Sequence, residues 1–269
     1  MRRFGRSAAV LAALAMNGCS MAQTSTCFTT RRVVLPDEQR AVSRLSGGQA
    51  GRDLATAVWR GDARAVADAL RGDPRLAAVR VEPDPRLDSQ PDGQYGDLLT
   101  FAVARCDRAM LETLLDGGVA ANGADPGAAL TLALLSDDPE LPETLLARGA
   151  SPDPQKAGGS NAFNAVAAAN HVGGAMMLLR HGLDVRWTDR FGHTHLDDAL
   201  SMQAYAIAEQ LVEAGADLRH PDRDGFTPAH ALATPPLIRL TSAEAAARDR
   251  LIARAQADGK GWPPAPPAR

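Results

Sequence analysis

Six histidines, His171, His181, His193, His195, His220 and His230, all fall in the C-terminal half of the chain. His193 and His195, one residue apart and with His220 downstream, are the residues whose types could hold a metal ion. The spacing argues against it: no histidine pair recurs at a fixed helical interval, and no cysteine pair accompanies them. Serine, histidine and aspartate are all present, yet the chain has no G-x-S-x-G elbow, no G-x-x-x-x-G-K-[ST] phosphate loop and no H-E-x-x-H helix. Gly158-Gly159-Ser160 reads as a turn, and Asp137-Asp138 and Asp197-Asp198 read as helix-start charges on solvated faces. No catalytic residue, metal or cofactor is expected, and the chain reads as a non-enzymatic protein.

The three cysteines carry the remaining chemistry. Residues 1–22 read as an export signal: Arg2, Arg3 and Arg6 precede a short apolar run from Ser7 to Met16, too short to span a bilayer, and small residues follow. Two processing sites compete. Met16-Asn17-Gly18-Cys19-Ser20 resembles a bacterial lipobox, which would remove residues 1–18 and lipidate Cys19. Ser20-Met21-Ala22 would instead release a soluble chain that begins at Gln23. In an oxidising compartment Cys27 and Cys106 could pair, a bridge contributing about 4 kcal/mol on the loop-entropy model, or both could stay free. The periplasm or a lipid-anchored place at the outer membrane is the expected location.

Composition bounds the fold that must position these residues. An apolar fraction of 45% is ample for a core, and an aromatic share of 4% suits closely packed small helices better than bulky cross-strand pairs. Loss of residues 1–18 removes three arginines and no acids, so 29 − 3 = 26 basic residues face 32 acidic ones and the net charge moves from −3 to −6. Without a dense basic run, such a chain is a poor nucleic-acid binder.

Self-similarity is the strongest signal. Leu114-Leu115-Asp116-Gly117-Gly118, Leu145-Leu146-Ala147-Arg148-Gly149, Leu178-Leu179-Arg180-His181-Gly182 and Leu211-Val212-Glu213-Ala214-Gly215 align on their last glycines, which mark the ends of helices. Asp222-Arg223-Asp224-Gly225-Phe226-Thr227-Pro228-Ala229-His230 and Asp189-Arg190-Phe191-Gly192-His193-Thr194 open two of the units. Period and words together resemble the ankyrin repeat. The resemblance implies an all-α ankyrin-repeat solenoid of about five to six helix-turn-helix repeats with terminal capping helices. The repeats cover 52–235, with an inserted Pro/Asp/Gly-rich surface loop at 82–96. Residues 23–51 form a linker with a possible cap, 236–257 a C-terminal capping helix, and 258–269 a Pro-rich disordered tail. Small residues Ala57, Ala102, Ala133, Ala167 and Ala199 would let the first helices stack closely, while the Leu pairs fill the space between repeats. Pro142 is expected to delay the second helix of the third repeat.

In this register His230 takes the family's own histidine position, where the ring supports neighbouring turns, and the other histidines read as scattered on the surface. The resemblance also implies a concave recognition face made of projecting turns and first-helix ends. Its turn positions are Tyr95, Arg190, Phe191, His193, Arg223, Asp224 and Phe226. Its helix-end positions are Trp59, Arg60, Arg105, Leu135 and Met202. Trp59, Phe191 and Phe226 stand out, because desolvated aromatics carry much of the energy of protein interfaces. Equally, Phe191 or Phe226 could pack into the adjacent repeat and Trp59 could cover the N-terminal arm. The expected activity is recognition of a protein partner in the periplasm or envelope by a monomer whose only membrane contact is the lipid at Cys19. Alternatives are an immunity protein that neutralises a secreted toxin, a scaffold that protects an envelope enzyme, and, as the weakest, a hydrolase.

Overall fold

A computed structural model describes residues 27–28, 42, 45–80, 97–154, 158 and 161–265. The expectations for Cys19, for the signal over 1–22, for the 82–96 loop with Tyr95, and for most of the N-terminal linker lie outside the described residues. What is described is a row of helix pairs: α1 (Gly48–Arg60) with α2 (Ala63–Gly72), α3 (Leu98–Ala104) with α4 (Arg108–Asp116), α5 (Ala128–Leu134) with α6 (Glu140–Ala147), α7 (Ala162–Ala168) with α8 (Val172–Arg180), and α9 (His195–Ser201) with α10 (Tyr205–Glu213). A last short helix, α11 (Pro228–Ala233), is followed by the longer α12 (Ser242–Ala257). The first helices of successive pairs pack on one another as an inner row, and α2, α4, α6, α8 and α10 form the outer row.

The small residues explain the close inner row. Ala102, Ala133, Ala167 and Ala199 are at most 1% exposed, and their small side chains allow close approach of the helices. Ala57, on α1, is only partly buried, and among the described residues no helix pair stacks on the far side of α1. Leu114, Leu145, Leu178 and Leu211 fill the layer between inner and outer rows, and each is fully buried. Each such side chain contributes roughly 1.5–3 kcal/mol of burial.

Side chains set the helix starts. Asp62, Asp97, Asp107 and Asn161 each accept a hydrogen bond from the amide three residues on, at 2.8–3.0 Å. Asp97 is buried, and its other oxygen accepts from the amide of Asp125, which ties α3 to the following turn. Burial pushes its carboxyl above the ordinary range, and the donors from Thr100, Asp125 and Ala124 pull it back only in part. Between first and second helix the chain passes through the left-handed region at Gly61, Cys106, Asn170 and Gln203. The three non-glycine residues there need tertiary support. Cys106 has it from a disulfide to Cys27. Beside that bridge Phe28 is buried in the stack, and the carbonyl of Cys27 accepts from the amide of Asp137 in the next repeat.

Several details depart from the sequence reading. α1 begins at Gly48, ahead of the repeat boundary at 52. Pro142 does not delay α6, which starts at Glu140 and holds the ring in its first turn, where no intrahelical amide is lost. The outer helices α6 and α8 touch little, and a cleft of about 720 Å³ opens between them, bounded by Pro142 on one side and Gly173 and Gly174 on the other.

At the C-terminal end α12 covers the exposed flank of the last repeats. Its Glu244 is buried: one carboxylate oxygen accepts from the side-chain amide of Asn170 (3.0 Å), the other from the backbone amide of Ala206 (3.1 Å). Ala204, the residue before α10, has no side chain able to cap it, so Glu244 supplies the cap from a distant helix. Where the sequence suggested a disordered tail, residues 258–265 run back over the last repeat. Arg219 bridges Asp258 and the carbonyl of Gly261, and Trp262 packs against the core.

Candidate protein-binding face

Two projecting turns precede α9 and α11, and each is built around one aspartate. The Asp189 carboxylate accepts from the amides of Phe191 (2.7 Å) and His193 (2.9 Å), and the Asp222 carboxylate accepts from the amides of Asp224 (2.9 Å) and Phe226 (2.8 Å). Main-chain bonds from Asp189 to His193 and from Asp222 to Phe226 close each turn into a small hairpin, here called a finger. Burial works against ionising Asp189, but the two amides and the nearby His193 outweigh it, and its carboxyl sits below the ordinary aspartate range.

The fingers fix what their tips display. Phe191 and Phe226 are 49% and 52% exposed, far more than any core aromatic, although each has a ring neighbour. The Arg190 guanidinium lies 4.7 Å from the Phe191 centroid, and Phe226 meets His230 edge-on at 5.6 Å. The His193 ring lies between fingers, with Nδ1 3.5 Å from Asp189 and Nε2 3.6 Å from Asp222. Arg223 and Asp224 are exposed on the second tip. Thus Arg190, Phe191, His193, Arg223, Asp224 and Phe226 come together on two adjacent fingers.

Among the described residues, the other expected site residues do not join them. Trp59 is 8% exposed, edge-on to Phe101 at 5.7 Å and covered by the Arg105 guanidinium at 5.4 Å, which makes it a core residue of the first two repeats. Arg60 is exposed at the same end of the stack, far along it from the two fingers. Leu135 is half-buried and borders the outer cleft rather than the finger face. Met202 is half-buried against the core.

Below the fingers a cleft of about 410 Å³ runs between the finger bases and the inner helices α9 and α11. Its wall carries His193, Asp197, Asp198, Asp222, Phe226 and His230, and among the described residues no lysine or arginine. Asp197 is committed to its helix, since it accepts from the amide and hydroxyl of Thr194 (2.7 and 2.8 Å). His230 does the corresponding work one repeat on: Nδ1 accepts from the amide of Thr227 (3.0 Å), which leaves Nε2–H to donate to the carbonyl of Ala265 (2.8 Å). Asp198 has no hydrogen-bond donor among the described residues. Burial pushes its carboxyl above the ordinary range, with His195 opposing the shift and Asp189 and Asp197 adding to it.

The histidines are mostly structural. His195 is fully buried rather than on the surface: it takes the first helical position of α9, its ring lies 4.7 Å from Phe163 and 5.5 Å from Trp187, and Nε2 lies 3.4 Å from Asp153. Its burial separates it from His193, although only one residue intervenes. Among the described residues no group of three or more potential ligands is placed to hold a metal, and no helix is long and apolar enough to cross a membrane.

This helix-pair geometry has a counterpart among known families. Residues 130–222 match the model of ankyrin repeats, in three copies. The chain contains ankyrin repeats. The stack that the matched stretch shares with its neighbours is an all-α ankyrin solenoid, as its sequence implied. The chain has no match among curated proteins. Ankyrin repeats generally mediate protein–protein interaction, and proteins built from them are typically non-enzymatic binding scaffolds. The Asp197–Asp198 pair, read from sequence as plain helix-start charge, proves to have two separate roles, one capping and one facing the cleft. The register alone could have flagged it, because Asp197 stands where the next repeat has His230.

Proposed function

We propose that this chain is a protein-recognition module whose partner docks on the fingers at 189–194 and 222–227 and on the inner-helix face below them. One observation carries the reading: two phenylalanines, each about half exposed in a chain poor in aromatics, stand on two adjacent hydrogen-bonded turns, with Arg190 and Arg223 beside them. Large apolar rings held in place without covering one another are what a partner can bury at little entropic cost.

The module acts outside the cytoplasm, in the periplasm or tethered to the envelope through lipid at Cys19. The Cys27–Cys106 disulfide supports this, since such bonds persist in oxidising compartments.

The test is site-specific photo-cross-linking in intact cells, with the cross-linker placed in turn at Arg223 on a finger and at Arg60 on the opposite end. A discrete adduct from position 223, lost on Phe191→Ala plus Phe226→Ala in a protein that remains folded by circular dichroism, is the expected result. Adducts from position 60 alone would move the interface to the other end of the stack. Fractionation and the intact mass of the processed chain separate the lipid-anchored, soluble-exported and unexported forms.

A further inference from the structure

We propose that the cleft beneath the two fingers seats an arginine or lysine side chain from an extended basic segment of the partner. This rests on the finger-face reading and gives the partner a chemistry.

Charge is the first reason. Asp197, Asp198 and Asp222 contribute to the wall, and among the described residues no lysine or arginine does, so an acidic segment would be repelled and a cation drawn in. Arg190 and Arg223 sit on the finger tips, outside the lining.

The distribution of hydrogen bonds is the second reason. Asp197 commits one carboxylate oxygen to Thr194, and Asp222 commits one to the amides of its own finger. Asp198 offers two carboxylate oxygens that no described residue uses, in a place already partly removed from water. An apolar side chain entering the cleft would strip its remaining water and give nothing back, which is costly for a carboxylate. A guanidinium or ammonium group supplies both charge and donors.

The third reason is the apolar wall. Phe226 borders the cleft and is 52% exposed, so the methylene stem of an arginine or lysine can lie along its ring while the charged head reaches Asp198. A volume of about 410 Å³ is within the range of sites that enclose a ligand side chain.

The test uses the mature full chain and a labelled (Gly-Arg)4 peptide, with a citrulline peptide of the same shape and a (Gly-Glu)4 peptide alongside. Fluorescence anisotropy should show the arginine peptide binding at least tenfold more tightly than the citrulline one, and the acidic peptide not binding. Asp198→Asn should weaken the arginine peptide at least fivefold, while Asp53→Asn, an exposed acid on α1, leaves it unchanged. Equal binding of arginine and citrulline peptides overturns the proposal without recourse to any variant. So does equal loss in the two aspartate variants, or binding that appears only after residues 266–269 are deleted, which would make the chain's own tail the occupant. If Asp198→Asn keeps the cross-linked partner that the double phenylalanine variant loses, the cation seat falls and the finger face stands. If both variants keep it, both readings fall.

Discussion

The amide of Arg223 donates to the carbonyl of Phe191 at 2.9 Å, so the two fingers are joined by their main chains and not only by the helices beneath them. The contact is close because Gly192 stands at φ 89° against the 222–223 backbone: a Cβ there would come within 3.1 Å of Asp222 Cα. Gly192→Ala should therefore cost about 1–3 kcal/mol locally, from strain plus the displaced finger. Hydrogen exchange of the amides at 191, 193 and 223 should quicken, with the first three repeats unaffected. Unchanged exchange would mean that the fingers are independent.

The disulfide closes a span of 79 residues. Reduction, or Cys27→Ser with Cys106→Ser, should lower stability by up to about 4 kcal/mol on the loop-entropy model. The loss should fall on the first three repeats, since Phe28 and the bond from Asp137 to Cys27 depend on the same arm. Thermal melts with and without reductant, read beside exchange rates in α3 and α5, check this. Equal midpoints would show that the arm stays docked without the bridge.

Glu244 secures the C-terminal cap to two repeats at once. Glu244→Ala removes the acceptor for Asn170 and for the amide of Ala206, and should cost about 2–4 kcal/mol for the two buried bonds and the lost cap. Glu244→Gln keeps one acceptor oxygen and should lose roughly half as much. Urea melts of the three proteins give the ranking, and similar values for Gln and Ala would contradict the divided role of the carboxylate.

Asp198 sets a pH dependence with a definite sign. Its folded-state value is raised by burial, so the folded protein holds the proton more tightly than the unfolded chain. The stabilisation from protonation is fully present below the ordinary aspartate value and is lost as pH rises through the raised one. At neutral pH the charged form is a net cost, and Asp198→Asn should raise the melting midpoint by about 1–3 °C. The gain should vanish in acid. A variant less stable than the parent at neutral pH would mean that the carboxylate is already paired.

The repeat, the helical class, the closing glycines and the positions of the fingers were legible in the sequence, because they follow from local rules. Apolar period, small residues for close stacking, and a residue free to adopt positive φ at a helix end are all encoded within one repeat length. His230 and the aspartates at 189 and 222 likewise act within their own turns, so their positions in the register suffice. What the tertiary structure decided lies between repeats. Trp59 and Phe191 have similar apolar character and similar register claims, yet one is covered by Phe101 and Arg105 from the next repeat while the other stays half exposed beside Arg190 and His193. His193 and His195 are separated by a single residue, and burial against Phe163 and Trp187 takes one out of reach of the surface. Glu244 reads as one charge among many on α12, and its burial depends on Asn170 and Ala206, far away in the chain. Burial is a property of what packs on a residue, and in a solenoid the packing neighbour is one repeat away in sequence or, at the cap, more than one.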